Sequence, residues 1–162
     1  MTDMRRAMTF LGLLAVSILA CTPRGDQKAD SAAQATVAAP TLYDRLGGTP
    51  VLTAVVDSFV THVMADTRIN KHFQRIAGDT VATQSFKQKL LDQLCQGASG
   101  PCTYAGLDMK SAHQGMNLTD ADFDALMENL DKALDSAGVS QRNKDELRDV
   151  LSPLRADIVT KR

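Results

Sequence analysis

Three histidines, at positions 62, 72 and 113, are the side chains of this 162-residue chain best able to move a proton or hold a metal. No two of them stand at the His-x-x-x-His spacing that puts two rings on one helix face. The chain also lacks a Cys-x-x-Cys-His run. A zinc centre is therefore not expected, and a metal bound here would have to accept a single protein ligand. His113 is the candidate for that ligand. A glycine-containing loop, Tyr104-Ala-Gly-Leu, leads into a short helical turn that His113 closes, with Met109 and Met116 on either side. The bland reading of a lone histidine is a satisfied or solvated side chain. That reading is kept for His62, on the polar flank of a long helix. His72, next to Phe73, is expected near the surface or at the edge of a bound group. Cys95 and Cys102 flank the loop Gln96 to Pro101. They are expected to form a disulfide if the chain works outside the cytoplasm, and to be two buried thiols otherwise. No basic side chain adjoins them to activate a thiolate, so a catalytic thiol is not expected.

Helices must position these residues. Thr41 with Asp44 forms a capping box, and Gly47-Gly48 ends the short helix that it opens. Thr49-Pro50 reads as an N-cap with proline at the first helical position. Val51, Leu52, Val55, Val56, Phe59, Val60, Val63 and Met64 then recur at helical spacing. A short turn over Arg68 to Phe73 and a loop over Ala77 to Thr80 follow. The next helix carries Phe86, Leu90, Leu91, Leu94 and Cys95 on one face. Thr119 with Asp122 is a second capping box, opening a helix with Phe123, Leu126, Met127, Leu130 and Leu134 on its stripe. Ser140 is placed to cap the last helix, which is expected to bury Leu147, Val150, Leu151, Leu154 and Ile158. Pro153 lies inside it and should kink it. No stretch alternates with period two between turn signals, so the domain reads as all-α: about four main helices in two antiparallel pairs. A generic four-helix bundle would give the same pattern.

Hydrophobic residues are 44% of the chain, enough for one core, and the formal net charge is −1, which gives a nucleic acid no basic face. Aromatics are only 4%, which argues against a surface that stacks bases or sugars.

The N-terminus reads as a targeting segment over residues 1–20. Arg5 and Arg6 precede the apolar run Ala7 to Ala20, which is too short to span a bilayer comfortably. It ends at Cys21 in a pattern like a bacterial lipobox, with an ordinary signal peptide and a chance cysteine as the alternative. Residues 21–40 carry almost no large apolar side chains and read as a flexible tether. The expected location is extracytoplasmic, with the membrane reached only through a lipid anchor on Cys21.

Leu42-Tyr43-Asp44-Arg45-Leu46-Gly47-Gly48, then Arg68-Ile69 with His72-Phe73, then Gly100-Pro101, Tyr104, Gly106, Met109-Lys110 and His113-Gln114-Gly115 fall in register. In order and spacing they resemble the group 1 truncated haemoglobins, over the whole of residues 41–162. The resemblance implies a two-over-two helical sandwich holding haem b (iron protoporphyrin IX). One protein ligand suffices there, because the porphyrin supplies four. It makes His113 the proximal iron ligand and Phe73 an aromatic contact of the porphyrin. Lys89 falls at a propionate-reaching position, and Met109, Met116 and Phe123 form the proximal wall. Each has a plain reading beside it: core for the apolar residues, a solvated lysine for Lys89.

On the distal side the chain departs from the family. Val60 stands where members carry a tyrosine, and Phe86 and Leu90 stand where polar residues often occur. Gln93 is then the nearest polar candidate. Bound oxygen would lack charge-assisted hydrogen bonds worth roughly 1.5–3 kcal/mol each, so it should leave and autoxidise quickly. The resemblance implies reversible binding of O2, CO or NO, with oxygen transport, NO oxidation helped by a redox partner, sensing and electron transfer all open. A cofactor-free, membrane-tethered helical interaction module is the alternative. It accounts for the anchor and tether but leaves the His113 stretch without a role.

Overall fold

Gly47 and Gly48, both at positive φ (99° and 68°), let the chain turn directly from α1 (Leu42–Leu46) into α2 (Gly48–Ala65). The structure is a computed structural model and describes residues 39–161. The expected signal segment, Cys21 and nearly all of the expected tether lie outside the described residues.

The helix α1 has the expected capping box, Thr41 with Asp44. The start of α2 differs from expectation. Thr49 lies inside the first turn, and the cap is Gly47, which offers no side chain. The Thr49 N–H instead donates to the Tyr43 hydroxyl at 3.0 Å, so a side chain from the preceding helix satisfies it. After α2 come a 3-10 turn over Asn70–Phe73, α3 (Thr80–Gly97), α4 (Met109–His113), α5 (Asp120–Ser136) and α6 (Gln141–Leu151). Pro153 lies in a second 3-10 turn, Ser152–Leu154, that separates α6 from α7 (Arg155–Ile158). The missing proline N–H therefore breaks the last helix in two. No strand occurs among the described residues, and none of their helices is long and apolar enough to cross a membrane.

The core forms around α2, which packs against α3 on one side and α5 on the other. Its stripe Leu52, Val55, Val56, Phe59, Val60 and Val63 is buried. Leu94, Leu130, Leu134 and Leu147 close over it from α3, α5 and α6. Two expectations fail on the flanks. Val150 is 38% exposed, because α6 buries the Leu147–Leu151 line and turns Val150 towards Gly97 at the end of α3. His62 is partly buried rather than solvated, with its Nε2 enclosed and unbonded.

One buried polar side chain pins α5 to the end of α2. Asn129 donates to Asp66 Oδ2 at 2.7 Å and to the Ala125 carbonyl at 2.8 Å. Hydrogen bonds from the Arg68 side chain, then from Asn129, hold the Asp66 carboxyl well below its ordinary value. Replacing Asn129 by Ala removes both bonds within the core. It should cost about 2 kcal/mol, read as a lower urea midpoint at unchanged slope.

Candidate haem site on the fourth helix

The five-residue helix α4 exists because its surroundings hold it, since so short a helix is unstable alone. Asp108 caps it, accepting from the Ser111 N–H at 2.9 Å. The loop before it is tied down three times. Tyr104 N–H donates to Gln96 Oε1 at 2.6 Å. The Tyr104 hydroxyl donates to the Leu107 carbonyl at 2.9 Å, folding the ring over Gly106. A Cβ on Gly106 would lie 2.3 Å from that hydroxyl, so a larger residue there would displace the Tyr104 ring. The Cys95–Cys102 disulfide, with Cα atoms 5.7 Å apart, joins the end of α3 to the start of this loop. Beyond α4, the Leu118 carbonyl accepts from the Thr160 and Lys161 N–H groups at 3.0 and 2.9 Å, and α7 packs against α4.

His113 is half-buried, and its Nδ1 lies 2.8 Å from the Met109 carbonyl oxygen. A carbonyl only accepts, so Nδ1 carries the proton, and in the neutral ring Nε2 keeps its lone pair. That is the arrangement of a metal-ligating histidine whose second nitrogen is held by the backbone.

Five of the expected haem contacts are only partly buried: Phe73, Phe86 and Leu90 pack against the main core, and Met109 and Met116 against a smaller one. Phe73 and Phe86 meet edge to face at 5.8 Å. Val60 is buried at 5% exposure, and Gln93 is half-buried. Phe123 sits deeper, in a second cluster with Leu118, Ile158 and Val159, under the guanidinium of Arg155 at 4.4 Å. Lys89 is exposed, whereas its neighbour Lys87 pairs with Asp57 at 2.9 Å. An imidazole with one nitrogen held by the backbone fits haem iron, which asks one ligand of the protein, and the partly buried apolar side chains suit the dry surroundings the ring needs.

Sequence reasoning missed the second use of Asp122. Besides capping α5, it faces Lys71 at 3.7 Å and His72 Nε2 at 3.4 Å. His72 Nε2 is enclosed and makes no aligned hydrogen bond. A capping-box carboxylate has one oxygen to spare, and that was the available signal. Burial pushes the Asp122 carboxyl up, but hydrogen bonds from Thr119, with help from Lys71 and His72, outweigh it and hold the group at about 2. A depressed carboxylate stabilises the fold above its ordinary value of 3.8 and loses that contribution as pH falls towards 2. Thr119→Ala should therefore cost about 1 kcal/mol at pH 7. In urea titrations at several pH values, the gap from the unsubstituted protein should narrow below about pH 4.

An all-helical domain with a backbone-held imidazole and partly buried apolar side chains at the expected positions has the form of a haem-binding globin. The family comparison agrees. A model of the bacterial-like globins matches residues 41–160. A group 1 truncated haemoglobin of Tetrahymena thermophila is 35% identical over 122 residues, covering 75% of this chain and 97% of that protein. The crystal structure of the Tetrahymena pyriformis truncated haemoglobin in its Fe(III) form aligns with a TM-score of 0.68 at 34% identity. It covers 75% of this chain and all of the other. The 2/2 haemoglobin of a Synechococcus species, solved in the cyanomet state with covalently attached haem, aligns at 0.65 and 31% identity. It too covers 75% of this chain and all of the other. The chain belongs to the bacterial-like globin family and is similar to group 1 truncated haemoglobins. Membership implies a haem cofactor and the binding of diatomic gases, and the fold is the expected two-over-two helical sandwich.

Proposed function

We propose that this globin holds haem b through His113 Nε2 and binds a diatomic gas reversibly, without retaining oxygen tightly. The observation that carries the reading is the 2.8 Å contact between His113 Nδ1 and the Met109 carbonyl, which frees the other nitrogen for iron. When bound, haem iron supplies an open coordination position at which O2, CO or NO adds. The protein's part is to hold the imidazole, exclude water and set polarity on the gas side. Met109 and Met116 would wall the side of the haem held by His113, and Phe73 would pack against its ring. Lys89 is free to reach a propionate. On the distal side Val60, Phe86 and Leu90 would provide no hydrogen-bond donor, and Gln93 is the polar candidate. Without donors, bound oxygen is held weakly, which favours CO or NO binding or redox turnover with a partner over oxygen storage. We further propose that the chain acts outside the cytoplasm as a lipoprotein anchored at Cys21, a compartment in which the Cys95–Cys102 bridge persists.

Absorption spectra of the protein purified with haem supplied, in ferric, ferrous and CO-bound forms, test the haem reading. A stoichiometric Soret band that moves with CO is expected. A folded, helical protein that takes up no haem would overturn it.

A further inference from the structure

We infer that the Cys95–Cys102 disulfide is a redox-sensitive clamp on the segment that carries His113. The two sulfurs are placed unequally. Cys95 is fully buried, while Cys102 is only partly so. Cys95 is also boxed in. Gly100 is wedged between the Tyr43 ring and Cys95, so closely that a Cβ on it would lie 2.6 Å from Tyr43 Cδ2 and 2.7 Å from Cys95 Sγ. Its N–H donates to the Cys95 carbonyl at 2.8 Å, and the Tyr43 N–H donates to the Ala98 carbonyl at 2.8 Å. The α3 side of the bridge is thus fixed by α1 and the core. The Cys102 side is the start of the loop that runs through Tyr104 and Gly106 into α4.

Reduction proceeds by ordinary exchange with a dithiol. One thiolate of the dithiol attacks the more accessible Cys102 Sγ. The S–S bond breaks, and Cys95 leaves as a thiolate that takes up a proton. The second thiol of the reductant then attacks the mixed disulfide and releases Cys102, which is protonated in turn. Two electrons and two protons pass to the protein, and the dithiol becomes a disulfide. Two thiols cannot stay at bonded separation. With Cys95 enclosed, Cys102 moves, and the loop keeps the Gln96–Tyr104 hydrogen bond as its link to the end of α3. The imidazole held by Met109 rides on that loop.

Its effect on haem rests on the proposed function, so the test has two readouts. The first is hydrogen exchange of the full chain with and without a dithiol reductant, with thiols counted to verify opening. Amides from Tyr104 to His113 should exchange faster on reduction, while those of α2 and α5 stay protected. The second is transfer of haem from the loaded protein to an apoglobin acceptor. Its rate should rise about tenfold on reduction, near the low end of what coupled sites show. Cys102→Ser should have the faster rate without reductant and give no further response. If opened bridges leave both exchange and transfer unchanged within twofold, the clamp is refuted. Faster exchange in a protein that binds no haem would uphold the clamp and overturn the proposed function alone.

Discussion

His113→Ala should take haem from this protein at near-stoichiometric occupancy to weak or absent binding, a loss of at least about a hundredfold in affinity. Outer partners of a ligand already cost 10–100-fold when removed, and here the proposed ligand itself goes. The other two histidines do not offer a replacement. His72 is drawn to Asp122, and His62 lies along α2 with its Nε2 enclosed. Far-ultraviolet circular dichroism should show the helices intact, because His113 ends a five-residue helix and carries little of the core. The measurement is a haem titration followed at the Soret band beside the unsubstituted protein. Added imidazole gives a second readout: a band restored by imidazole identifies the vacated ligand position. Unchanged haem affinity would show that another side chain holds the iron.

Gly100→Ala should destabilise the fold by about 3 kcal/mol, at the upper end for overpacking. The added Cβ would stand 2.6–2.7 Å from Tyr43 Cδ2, Tyr43 Cγ and Cys95 Sγ. None of the three can give way easily. The Tyr43 hydroxyl pairs with Thr49 Oγ1 at 2.7 Å and accepts from the Thr49 N–H, so moving the ring uncaps α2. Cys95 is 0% exposed and joined to Cys102. The loss should appear as a lower urea midpoint. It should shrink in the Tyr43→Ala background, where the ring is gone. A full-size loss in that background would place the clash on the sulfur alone.

Much of this architecture was legible because its signals are local. The capping boxes Thr41–Asp44 and Thr119–Asp122 need only four consecutive residues, and both form as expected. The break at Pro153 follows from a missing N–H. The turn ending at His113 and the pairing of Cys95 with Cys102 are also as the sequence suggested. Where the readings fail, a partner far along the chain intervened. Thr49 reads as a cap, yet Tyr43 does that work. Val150 fits the helical stripe, yet α6 is rotated so that Leu147 and Leu151 meet the core.

The sequence alone determined which segments are helical, where they stop, and that one histidine stands apart as a ligand candidate. These depend on propensity, periodicity and capping over a few residues. Only the tertiary structure decided which nitrogen of His113 is free, because that depends on the ring meeting the Met109 carbonyl. It alone decided that Tyr104, Gln96, Gly106 and the C-terminal residues 160–161 hold the segment around His113, and that Asp122 serves both a cap and His72. Such contacts join groups up to tens of residues apart. Their formation depends on how helices rotate and stack to bury apolar surface, which no local pattern encodes.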